Sequence, residues 1–323
     1  PAAVANANGL GACVGGNGFA LVTRNEGTSG STAADFRCYE GGTRDSYNYQ
    51  AAGNVLMTPQ ERAGVSFSGD MVLTDAITAF ATIYTQNTRS AGIIALPFFS
   101  DFDGISLSGD SIYNPFGATI DGRYRVLGLG NRSYEYETDV KQFYTGLEGS
   151  IGDSSWRWDA TFSYGKLAQK NEDVGYIDYS ELADALGPSF RDAGGVARCG
   201  TPGAIIANCT PINFFNQPDA STAEGQAQIA ALAALRVPAR DSTDNTERSF
   251  AVNFTGDLFE LPAGYVGAAA GFEYRKESFA FNPDAIKFIA GDVSTFGCGI
   301  SSESCANPTA GETTVKEIYA EFL

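Results

Sequence analysis

Between Ser155 and Gly165 the side chains sort with strict period two: Trp156, Trp158, Ala160, Phe162 and Tyr164 alternate with Arg157, Asp159, Thr161 and Ser163. Successive side chains of a strand point to opposite faces, so this segment is expected to form a strand with one aromatic, apolar face and one charged, hydroxylated face. The split recurs three times. Val65, Phe67 and Met71 oppose Ser66, Ser68 and Asp70; Phe250, Val252 and Phe254 oppose Ala251, Asn253 and Thr255; Val266, Ala268, Ala270, Phe272 and Tyr274 oppose Gly267, Gly271, Glu273 and Arg275. Water-facing sheets also alternate, but their apolar side rarely carries so many large rings. A sheet that turns apolar residues to lipid and polar residues to a lumen, with aromatics at the interfaces, has this pattern. The expected fold class is all-β, an antiparallel transmembrane β-barrel.

Hydropathy neither requires nor excludes that fold. Mean hydropathy is −0.12. No apolar run reaches the roughly 18 residues of a spanning helix, but a spanning strand needs only about 9–11 residues, half of them apolar. The formal charge of −17, from 21 basic and 38 acidic residues, argues against nucleic-acid partners, whose phosphates attract basic surfaces. The chain has no histidine, which removes Ser-His-Asp and Cys-His catalysis and His-ligated metal sites. No catalytic residue, cofactor site or metal site is expected, and the chain reads as a non-enzyme. Asp101, Asp103 and Asp110 around Gly104 resemble a calcium loop, without the spaced glutamate of an EF-hand; a solvated acidic loop is the simpler reading. Six cysteines form three close pairs, Cys13 with Cys38, Cys199 with Cys209 and Cys298 with Cys305. Each pair falls within one Gly/Pro/Asn-rich segment, so local disulfides are the simplest of the fifteen connectivities, and they imply an oxidising compartment.

The connections alternate in length. Thr74–Ala76, Gly152–Ser154 and Glu260–Gly264 read as tight turns, whereas Ser90–Gly122, Asn171–Asp244 and Phe279–Thr313 are long and irregular. Loops beyond about 12–15 residues are uncommon unless functional, and short turns on one side with long loops on the other are the habit of outer-membrane barrels. Strands are expected at Arg62–Leu73, Ile77–Arg89, Arg123–Gly130, Ser133–Ser150, Ser155–Lys170, Thr246–Leu258, Tyr265–Ser278 and Val315–Leu323. Arg123–Gly130 reads as an extension outside the membrane, and Phe19–Arg24 and Asp35–Tyr39 as short extended pieces, about ten strands in all. Two helical signals lie in the longest loop: Ser221 with Glu224 as a capping box ahead of Ile229, Leu232 and Leu235, and Ser180 capping a turn that stops at Gly187-Pro188.

Four segments resemble the barrel domain of TonB-dependent outer-membrane receptors. They are DSYNYQAAGNVLMTPQER (Asp45–Arg62) leading into AGVSFSGDMVLTDAITAF, YTGLEGSIGDSSWRWDATFSYGK (Tyr144–Lys166), NFTGDLFELPAGYVGAAAGFEYRKE (Asn253–Glu277) and VKEIYAEFL (Val315–Leu323). The resemblance covers the strands and not the loops. It implies that residues 1–323 are a partial barrel domain, with early strands and a loop in 1–61 and hairpins with long loops in 62–323, drawn from a barrel of some 22 strands. It also implies an N-terminal plug domain, which the sequence given does not contain, acted on by a TonB-type energy-coupling protein. The other implied partners are outer-membrane lipid and an extracellular small-molecule or oligosaccharide ligand: a ferric siderophore, cobalamin or an oligosaccharide.

Candidate site residues follow from the faces and the loops. Glu148, Arg157, Asp159, Asn253, Glu273 and Arg275 are expected on the lumen side, as a hydrated charge network or a path for a polar solute. Phe98, Phe99, Tyr113, Phe116, Phe214 and Phe215 are loop aromatics that either stack on a ligand or build a small loop core. The leading expectation is an energy-coupled uptake receptor; a passive porin-like channel and a secreted β-rich adhesin are the alternatives.

Overall fold

The computed structural model describes residues 2–42, 44–46, 55–100, 103–122, 124–126, 129–216, 218–289, 297–300 and 304–323. Seven long strands form one antiparallel sheet: β1 (Gln60–Thr74), β2 (Ile77–Ile94), β3 (Arg132–Ser150), β4 (Arg157–Ile177), β5 (Arg236–Leu261), β6 (Gly264–Asn282) and β7 (Thr309–Phe322). Their spatial order is their chain order, so the sheet is an up-and-down meander. The fold is all-β and antiparallel. The sheet does not close into a barrel: among the described residues β1 and β7 are its two edges. Seven of the ten expected extended pieces join this sheet, and the other three pair elsewhere. Val22–Arg24 pairs with Phe36–Cys38, and Tyr124–Arg125 with Phe98–Phe99, in small separate ladders. Arg123, Leu127 and Gly128 of the expected Arg123–Gly130 strand lie outside the described residues.

Asp75-Ala76, residues 151–156 and Pro262-Ala263 connect the strands at one end of the sheet, the turn end. Residues 95–131, 178–235 and 283–308 connect them at the other, the loop end. The register sorts most side chains into two classes across the seven strands, with Phe80 and Tyr144 as aromatics on the polar face. Met71, Ala79, Leu147, Ala160, Val252, Phe272 and Ile318 stand in one cross-strand row. The next row, on the opposite face, holds Thr78, Glu148, Asp159, Asn253, Gly271 and Tyr319. Both tryptophans lie over glycines on the apolar face. A Cβ at Gly149 would come 3.1 Å from the Trp158 ring nitrogen, and one at Gly256 2.6 Å from the Trp156 ring.

Within the long strands only Arg132, Gly175, Tyr176, Ile177 and Ala239 are buried, all near the loop end. The hydrophobic core lies outside the sheet's middle, in the long connections, where Phe99, Ile105, Leu107, Leu182, Leu186, Ile212 and Leu232 pack together. Helix α1 (Ala2–Ala7) belongs to the N-terminal cluster around Phe36. Helices α2 (Tyr179–Leu186) and α3 (Ala223–Ala234) contribute to the main loop core. Both helices form where the sequence places them, with different caps. The Asp178 carboxylate accepts the N–H groups of Ser180 and Glu181 at 2.9 and 3.2 Å, so Ser180 is inside α2 and not its cap. The Thr222 hydroxyl accepts the Gly225 N–H at 3.0 Å, while Ser221 donates instead to Asp219. Where β4 enters the loop end its register with β5 slips between Asp173 and Tyr176. Gly175 sits there at φ +92°, a left-handed value that glycine tolerates best, and such a bulge bends the strand. No helix among the described residues is long and apolar enough to cross a membrane.

Candidate functional site

Three surfaces carry chemistry: the polar face, the folded loop end and the border of the apolar face. On the polar face, Asp159 stands between Glu148 and Asn253 in register. Asn253 donates to Asp159 at 2.8 Å and accepts from the Tyr319 hydroxyl at 2.8 Å, a hydrogen-bonded chain crossing three strands. Arg275 pairs with Glu273 and Glu277 at 3.4 and 3.0 Å, and Ser163 bonds Ser249 across β4 and β5. Glu148, Arg157, Asp159, Asn253, Glu273 and Arg275 thus share one face of the sheet.

At the loop end the structure joins Cys13 to Cys38, Cys199 to Cys209 and Cys298 to Cys305, with Cα separations of 4.9, 5.7 and 5.6 Å. The six loop aromatics are each engaged by neighbouring loop groups, the arrangement named by the loop-core alternative. Phe99 meets Phe214 at 4.8 Å, Phe36 meets Phe116 and Phe215 at 4.9 and 5.0 Å, and Phe98 lies under the Arg125 and Arg132 guanidiniums. Tyr113 donates to Glu224 and accepts from Gln228. Burial and the Glu224 carboxylate both raise its phenol pKa, while Arg191, bidentate on Glu224 at 2.8 and 3.1 Å, holds that carboxyl low. Aromatic rings from distant loop segments satisfy each other before any ligand arrives.

Two further nodes were not legible in the sequence. Lys287, 4% exposed, donates to Asp173 at 2.7 Å and Asp241 at 2.6 Å. It ties the β6–β7 connection to β4 and β5 on the polar-face side. Burial alone would depress the lysine, but the two aspartates outweigh it and raise its pKa above the ordinary 10.5. Arg37 grips both oxygens of Asp45 at 2.6 Å, and with the Glu40 N–H it lowers that carboxyl to about 2. Asp103 accepts from the Ser100 N–H and hydroxyl at 3.0 Å; Asp101 lies outside the described residues. No group of three or more His, Cys, Asp or Glu among the described residues is placed to hold a metal ion.

The apolar face is the largest uncovered feature. Val65, Phe67, Met71, Ile83, Leu147, Phe162, Phe250, Phe254, Phe272, Ile318 and Phe322 stand on it, each between 36% and 86% exposed. Exposed apolar patches far smaller than this mark an interaction surface. Toward the loop end the face turns charged on every strand from β3 to β7: Phe143 gives way to Lys141, Tyr164 to Lys166, Phe250 to Arg248, Tyr274 to Lys276 and Ile318 to Lys316. Beyond this line a depression of about 770 Å³ is lined by Glu61, Arg89, Glu137, Lys170, Glu172 and Arg240. There Arg89 pairs with Glu137 at 2.9 Å and Arg240 with Glu172 at 2.8 Å. Compared with known proteins, the chain matches no family model, no curated protein and no solved structure.

Proposed function

We propose that the sheet is a wall section of an outer-membrane β-barrel and that the protein is a receptor for energy-coupled uptake of a large, scarce solute. The observation that carries the membrane reading is the slant of the border on the apolar face. Lys141 and Lys166 are direct cross-strand partners, as are Arg248 and Lys276. Arg248 faces Tyr164, two residues from Lys166, and Lys316 faces Tyr274, two residues from Lys276. The border therefore shifts by about one residue per strand. A plane cutting strands tilted by about 36° shifts at that rate, as in a barrel whose shear equals its strand number, and membrane barrels tilt by about 35–45°. From Trp156 to Tyr164 the apolar run is about 27 Å along the strand at about 3.4 Å per residue. That is roughly 22 Å after tilting, close to the belt height of about 25 Å.

A lipid-inserted sheet has to pair both edges, so this reading calls for further strands beside β1 and β7. The receptor role is supported by the loop end, which folds into a braced body tied through Lys287 to the polar-face side, where a plain pore would be open. The resemblance of the hairpins to TonB-dependent receptors supports a siderophore, cobalamin or oligosaccharide as solute, and a TonB-type partner acting through a plug domain. The test is reconstitution of the full-length protein in phosphatidylcholine vesicles. Trp156 and Trp158, the chain's two tryptophans, are expected to be quenched by acyl-brominated lipid, with little ion conductance in the absence of a partner. Unquenched tryptophans would refute the membrane wall, and large steady conductance would favour a passive channel.

A further inference from the structure

The apolar face is bordered at its loop end by a line of basic residues. In a chain of net charge −17, four of the six lysines, Lys141, Lys166, Lys276 and Lys316, stand with Arg248 on the loop-side border. At the turn end Asp75 and Asp153 lie in the tight turns, while Asp257 and Glu260 pair with Gly267 and Tyr265 on the polar face. The cations are only loosely engaged. Lys166 meets Asp244 and Lys276 meets Glu312, both at 3.0 Å, and all four side chains are more than 40% exposed. Such exposed pairs contribute little and exchange readily. Lys141 and Lys316 have no ion-pair partner among the described residues, and Arg248 lies 5.7 Å from the Tyr164 ring centre.

We propose that this slanted line of cations is a headgroup site that takes the phosphates of anionic lipids in the leaflet on the loop side. The inference rests on the lipid-facing reading of the apolar face. It adds which leaflet chemistry the wall selects and which side carries it. Lysine stems can lie along apolar surface while their ammonium groups stay at the interface. Five cations spread over five neighbouring strands present a strip to which phosphate-bearing headgroups are complementary. Zwitterionic headgroups gain less from the same strip, because their own cation opposes it. The turn end of the same face has no such line of cations among the described residues, so the selection has a direction.

The test uses the full-length protein in phosphatidylcholine vesicles, with Tyr164→Trp as a fluorophore beside the cation line in a Trp156→Phe, Trp158→Phe background. Quenching by acyl-brominated phosphatidic acid is compared with quenching by acyl-brominated phosphatidylcholine. The expected preference for phosphatidic acid is about tenfold. It should fall to about unity when Lys141, Lys166, Lys276 and Lys316 are all replaced by Gln, and by about threefold in Lys141→Gln with Lys316→Gln, which breaks no ion pair. Inorganic phosphate should leave it unchanged. No preference in the starting protein, a preference that survives both sets of substitutions, or one that inorganic phosphate abolishes would overturn the headgroup site. Failure of either lipid to quench Trp158 in the unsubstituted protein would instead overturn the lipid-facing reading itself.

Discussion

Replacing Lys287 by Met should release the connection between β6 and β7 while leaving the strands paired. The substitution keeps the side chain's bulk and removes its charge, so Asp173 and Asp241, whose side chains are 13% and 9% exposed, face each other without a cation. Removing one partner of a buried ion pair costs about 3–5 kcal/mol, because the charge left behind is poorly solvated. The opening it promotes is local. The Gly299 N–H donates to Ile286 and the Ala306 N–H to Lys287, each at 2.8 Å, inside the segment that the lysine anchors. If those amides exchange through local opening, they should exchange roughly two to three and a half orders of magnitude faster, at about 1.36 kcal/mol per decade. Amides in the middle of β4 and β5 should not change. Adding Asp173→Asn and Asp241→Asn should return most of the protection, since the repulsion goes with the charges. Exchange at Gly299 and Ala306 within a factor of three of the parent would show that packing and the Cys298–Cys305 disulfide hold the segment without the lysine.

Lys287 also sets an alkaline limit. Its pKa is raised in the folded state, so its contribution is complete below the ordinary 10.5 and is lost as pH rises through the higher folded value; protection at Ala306 followed against pH should be flat through neutrality and fall only in strong base. Asp45 works in the opposite sense. Its carboxyl is lowered to about 2, so the Arg37–Asp45 tie is complete above 3.8 and is lost as pH falls through about 2; Asp45→Asn should make the Val22–Cys38 region more sensitive to protease at neutral pH. In reconstituted protein, Ala160→Arg should destabilise by about 2–4 kcal/mol in urea titrations, while Thr161→Arg on the other face should change little. Replacing both Cys199 and Cys209 by Ser removes a closure across 10 residues, worth about 2.5–3 kcal/mol on the chain-entropy estimate, and differential proteolysis of the 189–210 region should register it.

The parts of the fold that could be read in advance are those where one face of a strand differs sharply in polarity from the other. Period-two contrast located β1, β3 and β6 to within a few residues and the starts of β2 and β4, which run on five and seven residues past their expected ends, and the sorting of connections by length located the turn end. The same signal fades where both faces are wet. β5 begins at Arg236, ten residues before the expected Thr246, because Asp241, Ser242, Thr243, Asp244 and Asn245 pair with β4 without any apolar side to reveal it. The start of β7 at Thr309 ahead of Val315 has the same cause. Helix caps were misplaced by one or two residues because Asp178 competes with Ser180, and Thr222 with Ser221, for the same free N–H groups. The Lys287 node joins residues 173, 241 and 287, and the Phe36 cluster draws on Phe116 and Phe215. Neither has a local pattern, so neither could be found before the chain was folded. The basic border was present in the sequence all along, as basic residues closing five of the apolar stretches, but its alignment exists only in the register.

The placement of the hydrophobic core has a consequence for how such a chain is made. Its packed apolar interior lies in the long connections, the N-terminal segment and the loop-end tips of β4 and β5, among Leu182, Leu186, Ile212, Leu232 and their neighbours, while the middle of the sheet keeps its large apolar groups uncovered. On the proposed lipid-facing reading, the two halves mature in different solvents. The connections can collapse and oxidise in water at once, whereas the sheet has nothing to bury its rings against until lipid receives it. A compact, charged, cross-linked knob on one end of an unfinished wall also fixes the polarity of entry. Dragging that knob through hydrocarbon would strip water from dozens of polar groups, so the hairpin tips at Asp75, Asp153 and Pro262 must lead and the knob must stay behind.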